Sequence, residues 1–265
     1  VDSPNTNNQT AAPADSIRAK LEAWFDTDLG RALLAAVLQR LGTLLPTLFG
    51  YHVVQLGLFR DRPLMLASRI SHQIVANIDT KQVATGEHAL LCAPDALPIA
   101  ADSVDVLLLP FVLEFEASPH EVLREVDRVL IAEGHVVIVG FNPVSCWGLW
   151  RILLSWRDVM PWNGRFLRFG RLKDWLTLLG FEVTHVSRVF YRPPVRSPRL
   201  LRNLGFLEVL GRKLYPILGG SYVIVARKRL QRVIPIRTQW SVRRQLIATS
   251  LVKPTAYENS NHDQQ

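Results

Sequence analysis

The seven residues from Val104 to Pro110 (VDVLLLP) constrain this chain more than any others. Apart from Asp105 the run is apolar, so it reads as a parallel strand covered on both faces; a strand with one wet face would alternate. A strand of that kind needs helices on both sides of its sheet, and the flanking sequence supplies the pattern. Ser118-Pro119-His120-Glu121 reads as a capping box with proline at the first helical position, leading into Val122, Leu123, Val126, Val129 and Leu130. Gly134 is expected to end that helix, and His135 to Gly140 (HVVIVG) to form the next strand. Strand, helix, strand alternation implies right-handed crossovers in a doubly wound α/β sheet.

The same reading extends outward. Asp15 is expected to cap a first helix through Leu21, Trp24 and Phe25, and a second is expected from about Asp28, with Leu29, Leu33, Leu34, Val37, Leu38 and Leu41 on one core-facing stripe. Leu41 to Phe59 carries no charged residue, which raises the question of a membrane span. Its glycines and Pro46 divide it instead into a helix end, a turn and a strand, Tyr51 to Gly57. Asp61 and Pro63 then suggest a short helix to about Ser71. Gln73 to Asp79 and His88 to Cys92 read as strands, residues 145–157 and the stripe Leu172, Trp175, Leu176, Leu179 as helices, and Phe181 to Tyr191 with Tyr222 to Arg229 as the last strand pair. This gives one domain over residues 15–229, with N-terminal helices in 15–50 and a Pro- and Arg-rich, partly helical insertion at 192–220. Residues 1–14 are expected to be a disordered tail, and residues 230–265 a basic extension running into a disordered end.

Charge separates the chain into two parts. Residues 1–187 carry 16 Lys and Arg against 20 Asp and Glu, whereas residues 188–253 carry 15 against one. So basic a stretch is either a solvated face or a surface for nucleic acid or an anionic membrane. Cys92 and Cys146 lack the spacing of a metal site or a disulfide framework, and the scattered histidines form no metal-ligand pair, so no metal is expected. No secretory signal pattern is visible, which makes the cytoplasm the default location.

Residues 97–143 show LPIAADSVDVLLLPFVLEF, SPHEVLREVDRVL and EGHVVIVGFNP in succession. The order resembles the type 11 family of S-adenosylmethionine-dependent methyltransferases, carried by Leu97-Pro98-Ile99, Ser103-Val104-Asp105, Arg124-Glu125, Arg128-Val129-Leu130 and Glu133-Gly134. The resemblance implies a Rossmann-like, doubly wound, mostly parallel seven-stranded sheet of the class I methyltransferase type, and S-adenosyl-L-methionine as cofactor. It aligns Gln55, Gly57, Phe59 and Asp61 with the family's acid and three glycines, so one glycine of three survives. Cofactor contacts are implied for Gln55, Gly57, Asp79 and Pro110. Asp79 lies 22 residues after Gly57, near the spacing at which an acid holds ribose hydroxyls, but it also reads as a turn-starting strand end. Ala93 and Pro94 stand where the family has an acid and a backbone donor, leaving Asp95 as the substitute if the loop shifts.

Methyl transfer is an in-line displacement that draws mainly on positioning. Glu114, just past the central strand, is the one carboxylate expected to act as a base or to orient substrate; as a bland alternative it is an exposed acid at a strand end. Trp147, Trp150, Trp156 and Trp162 are core, a pocket wall for a flat or apolar substrate, or a membrane-facing surface. Two functions follow. One is methyl transfer to an unidentified acceptor, such as a small molecule. The other is a catalytically inactive binding module that uses residues 188–253 on nucleic acid or an anionic membrane.

Overall fold

The computed structural model describes residues 13–59, 63–77, 89–154, 159–195 and 197–229. Among these residues seven strands form: β1 (His52–Leu56), β2 (His72–Asn77), β3 (Ala89–Leu91), β4 (Val104–Pro110), β5 (Leu130–Phe141), β6 (Phe181–Val189) and β7 (Ser221–Lys228). They form one sheet in the order β3-β2-β1-β4-β5-β7-β6. The pairs from β3 through β5 are parallel, while β7 runs antiparallel to both β5 and β6. The expected doubly wound α/β architecture is therefore present, with the VDVLLLP strand near its middle.

The absence of alternation in β4 has the expected cause. Val106 and Leu108 pack into one apolar core, and Leu107 and Leu109 into the other. The first core also takes α1 (Pro13–Phe25), α2 (Asp28–Leu44) and Trp147 of α4 (Cys146–Leu154); the second takes α3 (Pro119–Val129) and α5 (Phe169–Leu178). β5 splits in the same way, with Val137 and Val139 on one face and Val136 and Ile138 on the other. The insertion carries α6 (Pro198–Asn203) and α7 (Phe206–Leu214).

Several local expectations are corrected. α1 begins at Pro13, two residues before the expected cap at Asp15. Leu38 is 40% exposed, at the edge of the α2 stripe rather than in it. Residues 64–67 form a turn, not a helix, and Asp61 lies outside the described residues. Ser118 precedes α3, but its side chain makes no capping bond. Gly134 does not stop that helix: α3 ends at Val129, and Leu130 already pairs with Val104, so the glycine lies inside β5. The pairing of Leu130 with the central strand outweighs one more helical turn. Gly180, by contrast, follows α5 with φ 84° and donates to the carbonyl of Thr177, as a helix-ending glycine does. Among the described residues, no helix is long and apolar enough to cross a membrane.

Candidate functional site

Strand order reverses between β1 and β4, so a ligand crevice belongs beyond the carboxyl ends of these two strands. The chain leaving β1 enters a left-handed bend, with φ 92° at Gly57 and φ 67° at Phe59. Glycine adopts this backbone freely; a phenylalanine there is strained and must be held by its surroundings. Gln55 supplies part of that hold. Its buried amide nitrogen donates to the carbonyl of Leu58 at 2.8 Å, and its amide oxygen accepts the N–H of Leu64 at 2.7 Å. The amide proposed as a cofactor contact is thus committed to its own loop.

Side chains fill the space above the two strand ends. The Phe59 ring lies 4.7 Å from that of Phe25 on α1, Phe25 lies 5.0 Å from Phe111, and Phe111 lies 4.7 Å from Phe141. All four rings are buried. Phe111, the first residue after β4, also has positive φ, at 52°. α1 is fastened over this cluster by an ion pair between Arg18 and Glu116 and by Glu22, whose carboxylate accepts the N–H of Phe59 at 3.2 Å. With Phe25 wedged between Phe59 and Phe111, the described half of the crevice is closed for as long as α1 holds this position. Asp79 and the rest of residues 78–88 lie outside the described residues.

Pro110 ends β4, paired with Val139 of β5. Glu114 is not an exposed strand-end acid: it is 2% exposed, and its Oε1 accepts the N–H of Phe141 at 2.8 Å. Burial pushes its carboxyl up to about 8 against the opposing pull of that hydrogen bond, so at neutral pH the protonated form prevails. Among the described residues, Oε2 and the Tyr222 hydroxyl are buried without a hydrogen-bond partner. A Cβ at Gly140 would collide with both Glu114 Oε1 and the Tyr222 hydroxyl, so this glycine makes room for the two polar tips. Burial, and then the charge on Glu114, raise the Tyr222 phenol well above its ordinary range. Sequence reasoning missed Gly140 and Tyr222; a glycine ending an otherwise β-branched strand was the available signal. Asp95 is exposed and lines a shallow groove with Glu121, Arg124, Glu125 and Arg128, while Pro94 is buried beside it.

A groove of about 870 Å³ opens beside the aromatic cluster, between the α1–α2 turn, α4 and α6. Trp24, Trp150, Trp162, Leu29, Leu154 and Leu200 form its apolar wall, with Asp28 and Arg31 at one side. Trp24 belongs to both regions, since its ring also meets those of Phe25, Phe141 and Trp147. The tryptophan-rich segment therefore divides its duties. Trp147 is core, Trp162 is buried but borders the groove, Trp150 is partly exposed there, and Trp156 lies outside the described residues.

Comparison with known proteins agrees with this architecture. The family model described as a methyltransferase domain matches residues 63–138, beginning just after the altered loop. Protein YafS of Escherichia coli is 35% identical over 208 residues, covering 78% of this chain and 81% of YafS. A methyltransferase structure from Thermotoga maritima superposes with a TM-score of 0.61 at 21% identity, covering 81% of this chain and 98% of its own. One from Archaeoglobus fulgidus gives 0.52 at 22% identity, covering 72% and 93%. The strand order and these superpositions give the chain the class I methyltransferase fold, residues 63–138 match a methyltransferase domain, and the chain belongs to the same family as YafS.

Proposed function

We propose that the chain is an S-adenosylmethionine-dependent methyltransferase whose acceptor is a small, largely apolar molecule bound in the tryptophan-walled groove. The groove carries this reading. Its volume falls within the roughly 300–1,000 Å³ usual for small-molecule sites, its wall is mostly aromatic and aliphatic, and Trp24 joins it to the strand-end crevice. The left-handed backbone kept at Gly57 and Phe59 also supports it, because the loop retains a glycine-type course despite the strain of a phenylalanine. Since α1 closes the crevice, cofactor entry requires that helix to move. Isothermal calorimetry with S-adenosylmethionine and S-adenosylhomocysteine tests the reading on the full chain. Binding should be measurable and accompanied by faster hydrogen exchange in α1. Absence of both heat and thermal stabilisation at millimolar ligand would remove it.

The closed crevice favours a second reading, in which the scaffold is a binding module without methyl transfer. A fold of this kind carries function only through the sites built on it, and Phe25, Phe59 and Phe111 occupy the usual ligand position. Failure of cofactor binding with the groove still able to take apolar ligands would select it.

A further inference from the structure

We propose that α7 and the turn after it, residues 206–218, lie in the interface of an anionic lipid bilayer. α7 (FLEVLGRKL) contains no buried residue, although it is strongly amphipathic. Its orientation is the reverse of an ordinary surface helix. Glu208, its one acid, faces the protein and accepts the N–H of Tyr191 at 2.7 Å, and Gly211 sits against the Tyr191 ring, where a Cβ would collide. The opposite side presents Phe206, Val209, Leu210 and Leu214 to solvent, from 46% to 74% exposed, and Tyr215 and Ile217 extend the patch. A soluble surface rarely leaves so contiguous an apolar face uncovered without a partner.

Charge selects the partner. Lys213 lies four residues from Val209 and three from Leu210, so it shares the apolar side, and Arg212 and Arg199 are exposed nearby in sequence. In an interface between protein copies, the Lys213 ammonium would be desolvated with no acid of α7 to meet it, because Glu208 points inward. At a bilayer surface the same lysine reaches up to the headgroups while its stem and neighbours enter the acyl boundary. Nucleic acid would reward the cations and leave the aliphatic side chains exposed. An interfacial helix with basic residues beside Phe and Leu, and no acid on its outer side, suits anionic lipid. α6, which leads into α7, supplies Leu200 to the wall of the groove. The proposal does not depend on methyl transfer.

Co-sedimentation of the full chain with phosphatidylcholine vesicles, with and without phosphatidylglycerol, tests it. Partitioning should be about tenfold or more stronger on the anionic vesicles and weaken with salt. The double substitution Leu210→Ser, Leu214→Ser should reduce it by about tenfold or more, and Arg212→Ser with Lys213→Ser should remove most of the preference for phosphatidylglycerol. All four side chains are exposed, so thermal melting of the variants should match the parent. No retention on anionic vesicles at low salt would overturn the proposal, as would retention unchanged by the leucine pair. Two other outcomes also overturn it: retention by DNA but not vesicles, and a dimer in sedimentation equilibrium that the leucine pair dissolves while vesicles bind nothing.

Discussion

Gln55 shows how one residue can keep a position yet change its work. It stands at the end of β1, where the family resemblance places an acid facing ligand, but it is fully buried and its amide closes the loop from Leu58 to Leu64. A glutamine suits that task because one end donates and the other accepts. Gln55→Leu would leave the Leu64 N–H and the Leu58 carbonyl without this partner. Each orphaned buried group costs about 1–3 kcal/mol, so the variant should lose about 2–4 kcal/mol in urea unfolding. A loss below about 1 kcal/mol would mean that the loop is held by other contacts. The strain at Phe59 belongs to the same scale: its ring is gripped by Phe25, and that packing holds the backbone in a region a phenylalanine otherwise avoids.

Among the elements, two helix starts that look alike in sequence differ in structure. Thr27 caps α2 with its hydroxyl, which accepts the N–H of Gly30 at 3.2 Å, whereas Ser118 at the start of α3 makes no side-chain cap despite its Ser-Pro-His-Glu sequence. Glu121 and Val122 instead donate backbone N–H groups to the Ser118 carbonyl. Thr27→Ala should therefore cost about 1 kcal/mol in a denaturant titration, and Ser118→Ala less than about 0.5 kcal/mol. Equal losses would contradict the observed caps. α1 is the element that decides access to the crevice. Its Phe25 and Glu22 reach the β1 loop, so its position and that loop's conformation are one property.

The two-core sandwich makes one buried acid matter to the whole molecule. Burial raises Glu114 from the usual 4.5 to about 8, so the native state holds this proton more tightly than the unfolded chain. The stability it contributes is complete below pH 4.5 and is lost as pH rises through 8, at up to about 1.4 kcal/mol per pH unit between them. His135 and His185, both lowered chiefly by burial, act in the opposite sense on the acid side. Comparing the parent with Glu114→Gln isolates the carboxyl. Unfolding free energies from pH 5 to 8 should fall more steeply for the parent, and parallel curves would show that Glu114 is ionised throughout.

The sequence alone determined the sheet class, because an apolar run without alternation requires cover on both faces, and it located the strand ends at Gly57 and Pro110. It also carried the family resemblance, since the residues from Leu97 to Gly134 act through local turn and helix chemistry. The helix stop expected at Gly134 failed because a pairing with β4, distant in sequence, claimed Leu130. Only the tertiary structure placed Phe25 between Phe59 and Phe111, and Glu114 beside Tyr222 over Gly140. These neighbours come from separate elements, and no local pattern records which distant side chain will fill a given space. Packing, which depends on the whole chain at once, decided that the crevice is closed by the protein's own rings.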